Sequence, residues 1–245
     1  VTWEGFNNAG QEPQIDNVSV RLAVEDRSVN GNGLQVFGTV SKNPVNIGAD
    51  LVAYSGFSAS NYLMQPYNAD LDFGTSDFCI MGWNKGTDTA GYLIARNNGS
   101  GSTDRIAVDV SSSKYRFYLE AGATGILTST SNANTNTWTQ FCALRRSGAT
   151  ELYINGKLEA SGTSAVDLDN STCVLHIGDV PHVGNGYYGS LALLRISATA
   201  PSPEQIAKIY NDEKVLFQEN AQATLYGSSD AVTALAYDDS TELLH

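Results

Sequence analysis

Between Leu34 and Val180 the chain reads as short apolar runs separated by polar breaks. The runs are LQVFGTV, ADLVAYS, DFCIMGW, GYLIARN, DRIAVDV, KYRFYLEA, TWTQFCALRR, ELYIN, KLEAS and CVLHIGD, and the breaks include KNP, KGTDT, NNGSGST, SSS and NANTNT. Runs rich in β-branched and aromatic residues, bounded by Gly, Asn and Ser, predict strands. Their regular recurrence, with no helix-length apolar period among them, predicts a sandwich or barrel and not an α/β fold. The clearest turn lies in ATELYINGKLEA, residues 149–160. Asn155 and Gly156 both tolerate positive φ, which the two central positions of a type I′ hairpin require. Alternation there is expected to put Leu152, Ile154, Leu158 and Ala160 on one face.

A helical pattern arrives only near the end, in PSPEQIAKIYNDE. Ser202 suits the N-cap, Pro203 the first helical position, and Gln205 completes a capping box. Ile206, Ile209 and Tyr210 then mark one apolar face. The flanks differ in character. QIDNVSVRLA offers one amphipathic strand through Ile15, Val18, Val20 and Leu22, too little to bury its own face, so residues 1–24 are expected to finish an upstream β module. The polar, glycine-rich stretch 25–33 reads as a linker, and 217–245 as the start of a further β-rich segment. Val1 is not an initiator, which agrees with a segment of something longer.

Composition narrows the function classes. The 245 residues are 42% hydrophobic but only 16% charged, with 14 basic and 26 acidic side chains and a net charge of −12. Nucleic acid is an unsuitable partner, because phosphate binding needs a basic face. The acidic surface fits bulk solvent and offers carboxylates for Ca²⁺. No apolar run approaches the ~20 residues that cross a bilayer, so membrane insertion is not expected. Cys79, Cys142 and Cys173 are odd in number and widely spaced, which is neither a disulfide framework nor a zinc pattern. They read as buried free thiols of a chain folded in a reducing compartment.

At this point the residues carry a resemblance. TWTQFCALRRSGATELYINGKLEASG, then LHIGD, then GYYGSLALLRISATAPSPEQIAKIY resemble the concanavalin A-like lectin/glucanase superfamily, and within it the laminin G-like modules. The matching features are Trp138 opening a strand, the Tyr153–Gly156 hairpin, Ile177-Gly178, the closing strand Gly189–Ile196 and the helix Ser202–Tyr210. SDFCIMGWNKG resembles that family's earlier strand ending in an aromatic and a basic residue. The resemblance implies an all-β fold for 34–216: a concanavalin A-like antiparallel β-sandwich of jelly-roll type with one short C-terminal helix, flanked by partial β modules. The segments around it, including LFQENAQATLYGSSDAVTALAYDDSTELLH, are similar to those strung together in bacteriophage tail and tail-fibre proteins. That likeness implies a virion module made in the host cytoplasm. Its partners would be other tail proteins, a host-surface glycan, and itself as a homo-oligomer such as a trimer.

The superfamily also contains glycoside hydrolases, whose retaining members need two carboxylates about 5–5.5 Å apart. The nearest acidic pairs are Asp70 with Asp72, Asp167 with Asp169, and Asp238 with Asp239, all in turn-like settings, so catalysis is not expected. His176 reads as a satisfied strand histidine, and no nucleophile motif accompanies His182. For calcium, which the resemblance implies at a loop rim, the donors are Asp88, Asn97, Asp104 and Asp179, against a default of solvated loop carboxylates. Sugar recognition, the family's other implied role, needs an aromatic platform plus planar polar groups. NGYYG supplies Tyr187 and Tyr188 beside Asn185 and His182, and other loops supply Tyr92, Asn97 and Asn98. One of the two adjacent tyrosines could instead belong to the core. Three roles are weighed: a carbohydrate-recognising or decorating virion module, a purely structural connector or oligomerisation module, and a hydrolase-like domain.

Overall fold

The structure is a computed structural model, and it describes residues 33–98, 104–119, 126–181, 184–222, 237–238 and 243–244. Backbone contacts divide the chain into Val1–Gly33 and Leu34–His245. The expected upstream module at 1–24, nearly all of the linker and most of 217–245 lie outside the described residues.

Two seven-stranded antiparallel sheets make the sandwich. The first runs β1 (Gln35–Phe37), β4 (Tyr62–Gln65), β13 (Val174–Ile177), β6 (Ala90–Asn97), β7 (Asp104–Ser111), β8 (Lys114–Tyr118) and β9 (Leu127–Asn132). The second runs β12 (Lys157–Thr163), β11 (Ala149–Ile154), β10 (Thr139–Arg146), β5 (Phe78–Lys85), β14 (Ser190–Ser197), β3 (Val52–Ser55) and β2 (Ser41–Pro44). A single α-helix, α1 (Pro203–Glu213), continues into a 3₁₀ turn at Lys214–Phe217. A separate two-stranded pair, β15 (Tyr237–Asp238) with β16 (Leu243–Leu244), lies in the tail. The expected all-β sandwich with one short C-terminal helix is the fold found.

The main core fills the space between the sheets. Leu63, Ile94, Val108, Phe117 and Leu175 from the first sheet meet Phe78, Ile80, Phe141, Leu152 and Leu191 from the second. The second sheet is covered on its outer face as well. Ile206 of α1 packs on Cys79, Met81, Cys142, Leu144 and Tyr153, while Phe217 packs on Trp83, Val45, Ala49, Ala53 and Ala192. Burial on both faces explains why β5 and β10 read as continuous apolar runs instead of alternating. The helix cap forms as expected: Ser202 Oγ accepts from Gln205 N, and Gln205 Oε1 accepts from Ser202 N. Trp83 fastens the helix end, its indole N–H donating to Glu213 at 2.7 Å with Tyr210 stacked over the ring. Among the described residues no helix is long and apolar enough to cross a membrane.

Three strands escape the sequence pattern. Ser41–Pro44 falls where a break was expected, and it is an edge strand, where proline is tolerated because one side needs no ladder donor. Tyr62–Gln65 is short. Leu127–Asn132 (LTSTSN) is polar, but Ser129 Oγ accepts from Tyr115 N and donates to Ser131 O, so its buried hydroxyl is satisfied within the sheet.

The hairpin turn is as expected, with Asn155 at φ 50° and Gly156 at φ 74°. Gly156 is also where α1 approaches: an added Cβ would lie 3.2 Å from Ala207 Cα. The facing of Leu158 is corrected. A two-residue turn pairs Ile154 with Lys157, so Leu158 sits opposite Tyr153 and is exposed. Ala160 regains the Leu152 face only because Glu159 is bulged out of register. That bulge has a use, because Glu159 accepts from the backbone N–H groups of Thr130 and Ser131, each at 2.8 Å, and from the Ser131 hydroxyl. Edge strand β12 of one sheet is thereby tied to edge strand β9 of the other. Desolvation pushes the Glu159 carboxyl up, but the Ser131 and Thr130 donors outweigh it and hold it below the usual range.

One end of the sandwich is closed by two buried arginines. Arg145 donates to the carbonyls of Ser76, Val166 and Gly74, and Arg96 to those of Leu168 and Asn170 and to Asp72. All three cysteines are buried and free. Cys79 and Cys142 lie in β5 and β10, and Cys173 immediately precedes β13.

Candidate functional site

The dipeptide Tyr187-Tyr188 enters the closing strand, and its two side chains take opposite fates. Tyr187 is 1% exposed. Its ring passes between Gly86 and Gly189, where an added Cβ would come within 2.6 and 2.5 Å of the Tyr187 hydroxyl. The hydroxyl accepts from Asn84 Nδ2 at 3.0 Å, and Asn84 Oδ1 accepts from the Tyr115 hydroxyl at 2.9 Å. Burial pushes the Tyr115 phenol up to about 12 and the Tyr187 phenol higher still. Tyr187 is therefore a core residue and is withdrawn from the expected sugar platform.

Tyr188, the next residue along the chain, is 66% exposed. Its backbone N–H donates to Asp88 Oδ2 at 2.7 Å, which fixes the tyrosine against the loop after β5. Burial pushes the Asp88 carboxyl up, while the Tyr188 and Gly189 N–H groups pull it partly back.

Tyr188 and Asp88 border a cleft of about 330 Å³ at the β2–β3 side of the second sheet. Val45, Ala53 and Trp138 give it apolar lining, and Asn43, Ser55, Lys85, Asn136 and Ser190 give it polar lining. Trp138 is half-buried; its indole N–H donates to the Val45 carbonyl at 2.9 Å and its ring leans on Phe217. Asn136 is held at φ 54° with its N–H on the Gly86 carbonyl. Two aromatic rings, amides, hydroxyls and one carboxylate around a concave surface can stack on an apolar sugar face and hydrogen-bond hydroxyls.

The other expected site residues fall elsewhere. Tyr92 is buried on the outer face of the first sheet, where its hydroxyl accepts from Tyr118. Asn185 is exposed, but it lies outside the cleft lining, and its carbonyl accepts from Tyr92 N. Asn97 is buried and Asn98 half-buried. They sit five residues or more beyond Tyr92 along β6, roughly 16 Å at the usual strand rise, and they do not join Tyr188. His182 lies outside the described residues, and Asp104 is described by its backbone alone. Asp179 is fully buried. As to calcium, among the described residues no three His, Cys, Asp or Glu side chains gather to hold a metal, and Asp88 accepts from the backbone N–H groups of Tyr188 and Gly189.

Sequence reasoning missed Trp138, Asn136, Lys85 and the β2–β3 residues as site members. Trp138 and Lys85 were visible as pattern residues of their strands. What could not be read from spacing was that β2, β3, β10 and β14 bring them to one edge. A larger groove of about 670 Å³ runs beside α1, lined by Cys79, Met81, Ala200, Pro201 and Ile209 among others. The charges at its rim are already engaged, Arg195 with Glu213 and Lys208 with Asp212, and no aromatic ring lines it. The smaller cleft is the better candidate.

The acidic pairs expected to be non-catalytic serve the scaffold where they are described. Asp72 pairs with Arg96 and accepts from Tyr67, Asp169 accepts from Gly74 N, and Asp167 accepts from Asp169 N.

Comparison with known proteins agrees with this geometry at the level of fold. No curated protein sequence matches the chain. Among solved structures, the binding domain of Paraclostridial mosquitocidal protein 1 superposes with a TM-score of 0.59 at 16% identity, covering 77% of this chain and 49% of that one. The binding domain of botulinum neurotoxin DC in complex with SialylT gives a TM-score of 0.55 at 16% identity, covering 74% and 46%. The same domain in complex with rat synaptotagmin II gives 0.55 at 16%, again covering 74% and 46%. This chain spans about half the length of those domains, and at such identities the likeness is one of fold. Residues 57–207 match the Laminin_G_3 family model of the concanavalin A-like lectin/glucanases superfamily. The chain belongs to the concanavalin A-like lectin/glucanases superfamily, as a laminin G-like module.

Proposed function

We propose that the chain is a non-catalytic carbohydrate-binding module whose ligand lies in the cleft between Tyr188 and Trp138. The observation that carries the reading is the exposed Tyr188 ring, held by its backbone bond to Asp88 at the rim of a cleft lined by amides and hydroxyls. An exposed ring offers an apolar face on which a sugar can stack, and the backbone bond to Asp88 fixes where that ring is presented. Lectin-like binding domains among the structural neighbours support the class of function. Binding to a broad glycan panel, measured for the chain and for Tyr188→Ala, tests the reading. Binding that survives in Tyr188→Ala would move the site elsewhere, and silence across the panel would remove the function.

The finer part of the proposal is a place in a bacteriophage tail or tail fibre, recognising host-surface carbohydrate alongside other tail proteins. It rests on the likeness of the flanking segments. Labelled chain should stain the surface of a susceptible bacterium and Tyr188→Ala should not; equal staining by both would contradict it. Self-association belongs to the same proposal, and edge strand β1 with the residue before it offers exposed Val36 and Leu34 for it. Light scattering that shows only monomer at high concentration would remove that part.

A further inference from the structure

We infer that the cleft takes a saccharide carrying a carboxylate, a uronic or sialic acid residue, and that Lys85 is the group that selects it. The inference rests on the carbohydrate reading above and adds the charge of the ligand. Lys85 ends β5 and follows Trp83 by two residues, so it shares the outer face of the second sheet with that ring. It is half-buried and is the one cation among the cleft-lining residues.

Its counter-charge is the question. The chain carries 26 acidic residues against 14 basic ones, so a lysine without a carboxylate partner runs against its own surroundings. Among the described residues, Arg96, Arg116, Arg146, Arg195 and Lys208 each pair with an acidic side chain; Arg145, Lys114 and Lys214 donate to carbonyl or amide oxygens, Lys42 and Lys157 are exposed, and Lys85 is half-buried with neither kind of partner. The carboxylate that also lines the cleft is Asp88, and it is engaged by the backbone N–H groups of Tyr188 and Gly189. Those bonds orient Asp88 toward the Tyr188–Gly189 backbone, while the ammonium is the cleft's positive group. A half-buried ammonium is best compensated by an anion, because charge-assisted hydrogen bonds are the stronger ones in such a setting. Around it, Tyr188 and Trp138 supply ring faces, and Asn136 and Ser190 supply hydroxyl partners. This combination matches a pyranose with a carboxylate at its edge better than a neutral sugar, which would leave the ammonium desolvated without compensation.

The test titrates the purified chain calorimetrically with four probes: a trigalacturonate, its methyl ester, a sialyllactose and its methyl ester. One of the two acids is expected to bind about tenfold or more tightly than its own ester, since a hydrogen bond to a charged group carries at least that ratio. Whichever acid binds identifies the source. Lys85→Gln is expected to bind acid and ester alike, with the melting temperature unchanged, while Tyr188→Ala weakens both. Equal affinity of acid and ester for the unaltered chain, or a preference for acid that survives Lys85→Gln, overturns this inference and leaves the carbohydrate reading standing. Failure of these probes and of every neutral glycan overturns both.

Discussion

Two adjacent tyrosines of one sequence motif should respond to substitution in opposite ways. Tyr187→Phe deletes only a hydroxyl, but that hydroxyl accepts from Asn84 Nδ2 at 3.0 Å, and both residues are sealed from water. The substitution leaves an amide N–H without this acceptor in a dry site, which costs about 1–3 kcal/mol. For a domain of this size each kcal/mol moves the melting temperature by about 2–4 °C, so a loss of about 2 kcal/mol lowers it by roughly 4–8 °C. The ring itself still fills the slot between Gly86 and Gly189, so Tyr188 keeps its place and ligand affinity should change less than threefold, roughly, for a loss well under 1 kcal/mol. Tyr188→Ala removes an exposed ring, and its stability change should stay within about 0.5 kcal/mol, while glycan binding falls by about tenfold or more, the scale of a stacking contact. Thermal and urea unfolding, run beside titration with the bound saccharide, separates the two effects. A Tyr187→Phe chain that melts with the unaltered one, or a Tyr188→Ala chain that loses more stability than binding, would overturn this division of roles.

Gly189→Ala should disturb both properties, since its Cβ would meet the Lys85 carbonyl at 2.4 Å and the Tyr187 ring at 2.5 Å; a melting temperature and affinity equal to those of the unaltered chain would contradict the packing described. Arg145→Leu removes the buried guanidinium that ties together the carbonyls of Ser76, Val166 and Gly74, with an expected loss of about 1–3 kcal/mol in urea unfolding. Glu159 gives a pH signature. Its folded-state carboxyl titrates below its unfolded value, so its stabilisation is present above about pH 4.3, the unfolded value, and is lost as pH falls through the folded one. Glu159→Gln should therefore lower stability by a constant amount above about pH 5 and flatten the acid limb, the two chains converging as pH falls through the folded value, and an unchanged acid limb would count against the strut between the two sheet edges.

The strand-rich body, the Asn155-Gly156 turn and the Ser202 cap were legible because each depends on local chemistry: alternation or apolar runs, positive φ, and a side chain that bonds its own backbone. Leu158 was misplaced because parity across a two-residue turn is set by which residues pair, and the Glu159 bulge then shifts it again. Strand β9 was passed over because Ser and Thr read as loop until Ser129 is seen bonding within the sheet. At the site, Tyr188 and Asp88 were found as loop residues. Tyr187, Tyr92 and Asn97 were not recognised as buried, because a tyrosine or asparagine at the end of an apolar run or beside glycine looks the same in sequence whether its polar end meets water or a buried partner such as Asn84. Lys85, Trp138 and Asn136 join the cleft only through the pairing of β5 with β10 and β14, and long-range pairing leaves no mark in spacing.

The central claim is that saccharide binds at the β2–β3 edge of the second sheet. Titrating ¹⁵N-labelled chain with the bound oligosaccharide tests it directly, since the Trp138 indole N–H and the backbone N–H groups of Tyr188, Lys85 and Asn136 report from the lining of the cleft. These signals should shift together and saturate with one affinity. Shifts gathered instead along the α1 groove, around Ile209 and Ala200, or on the first sheet around Tyr62 and His176, would contradict it.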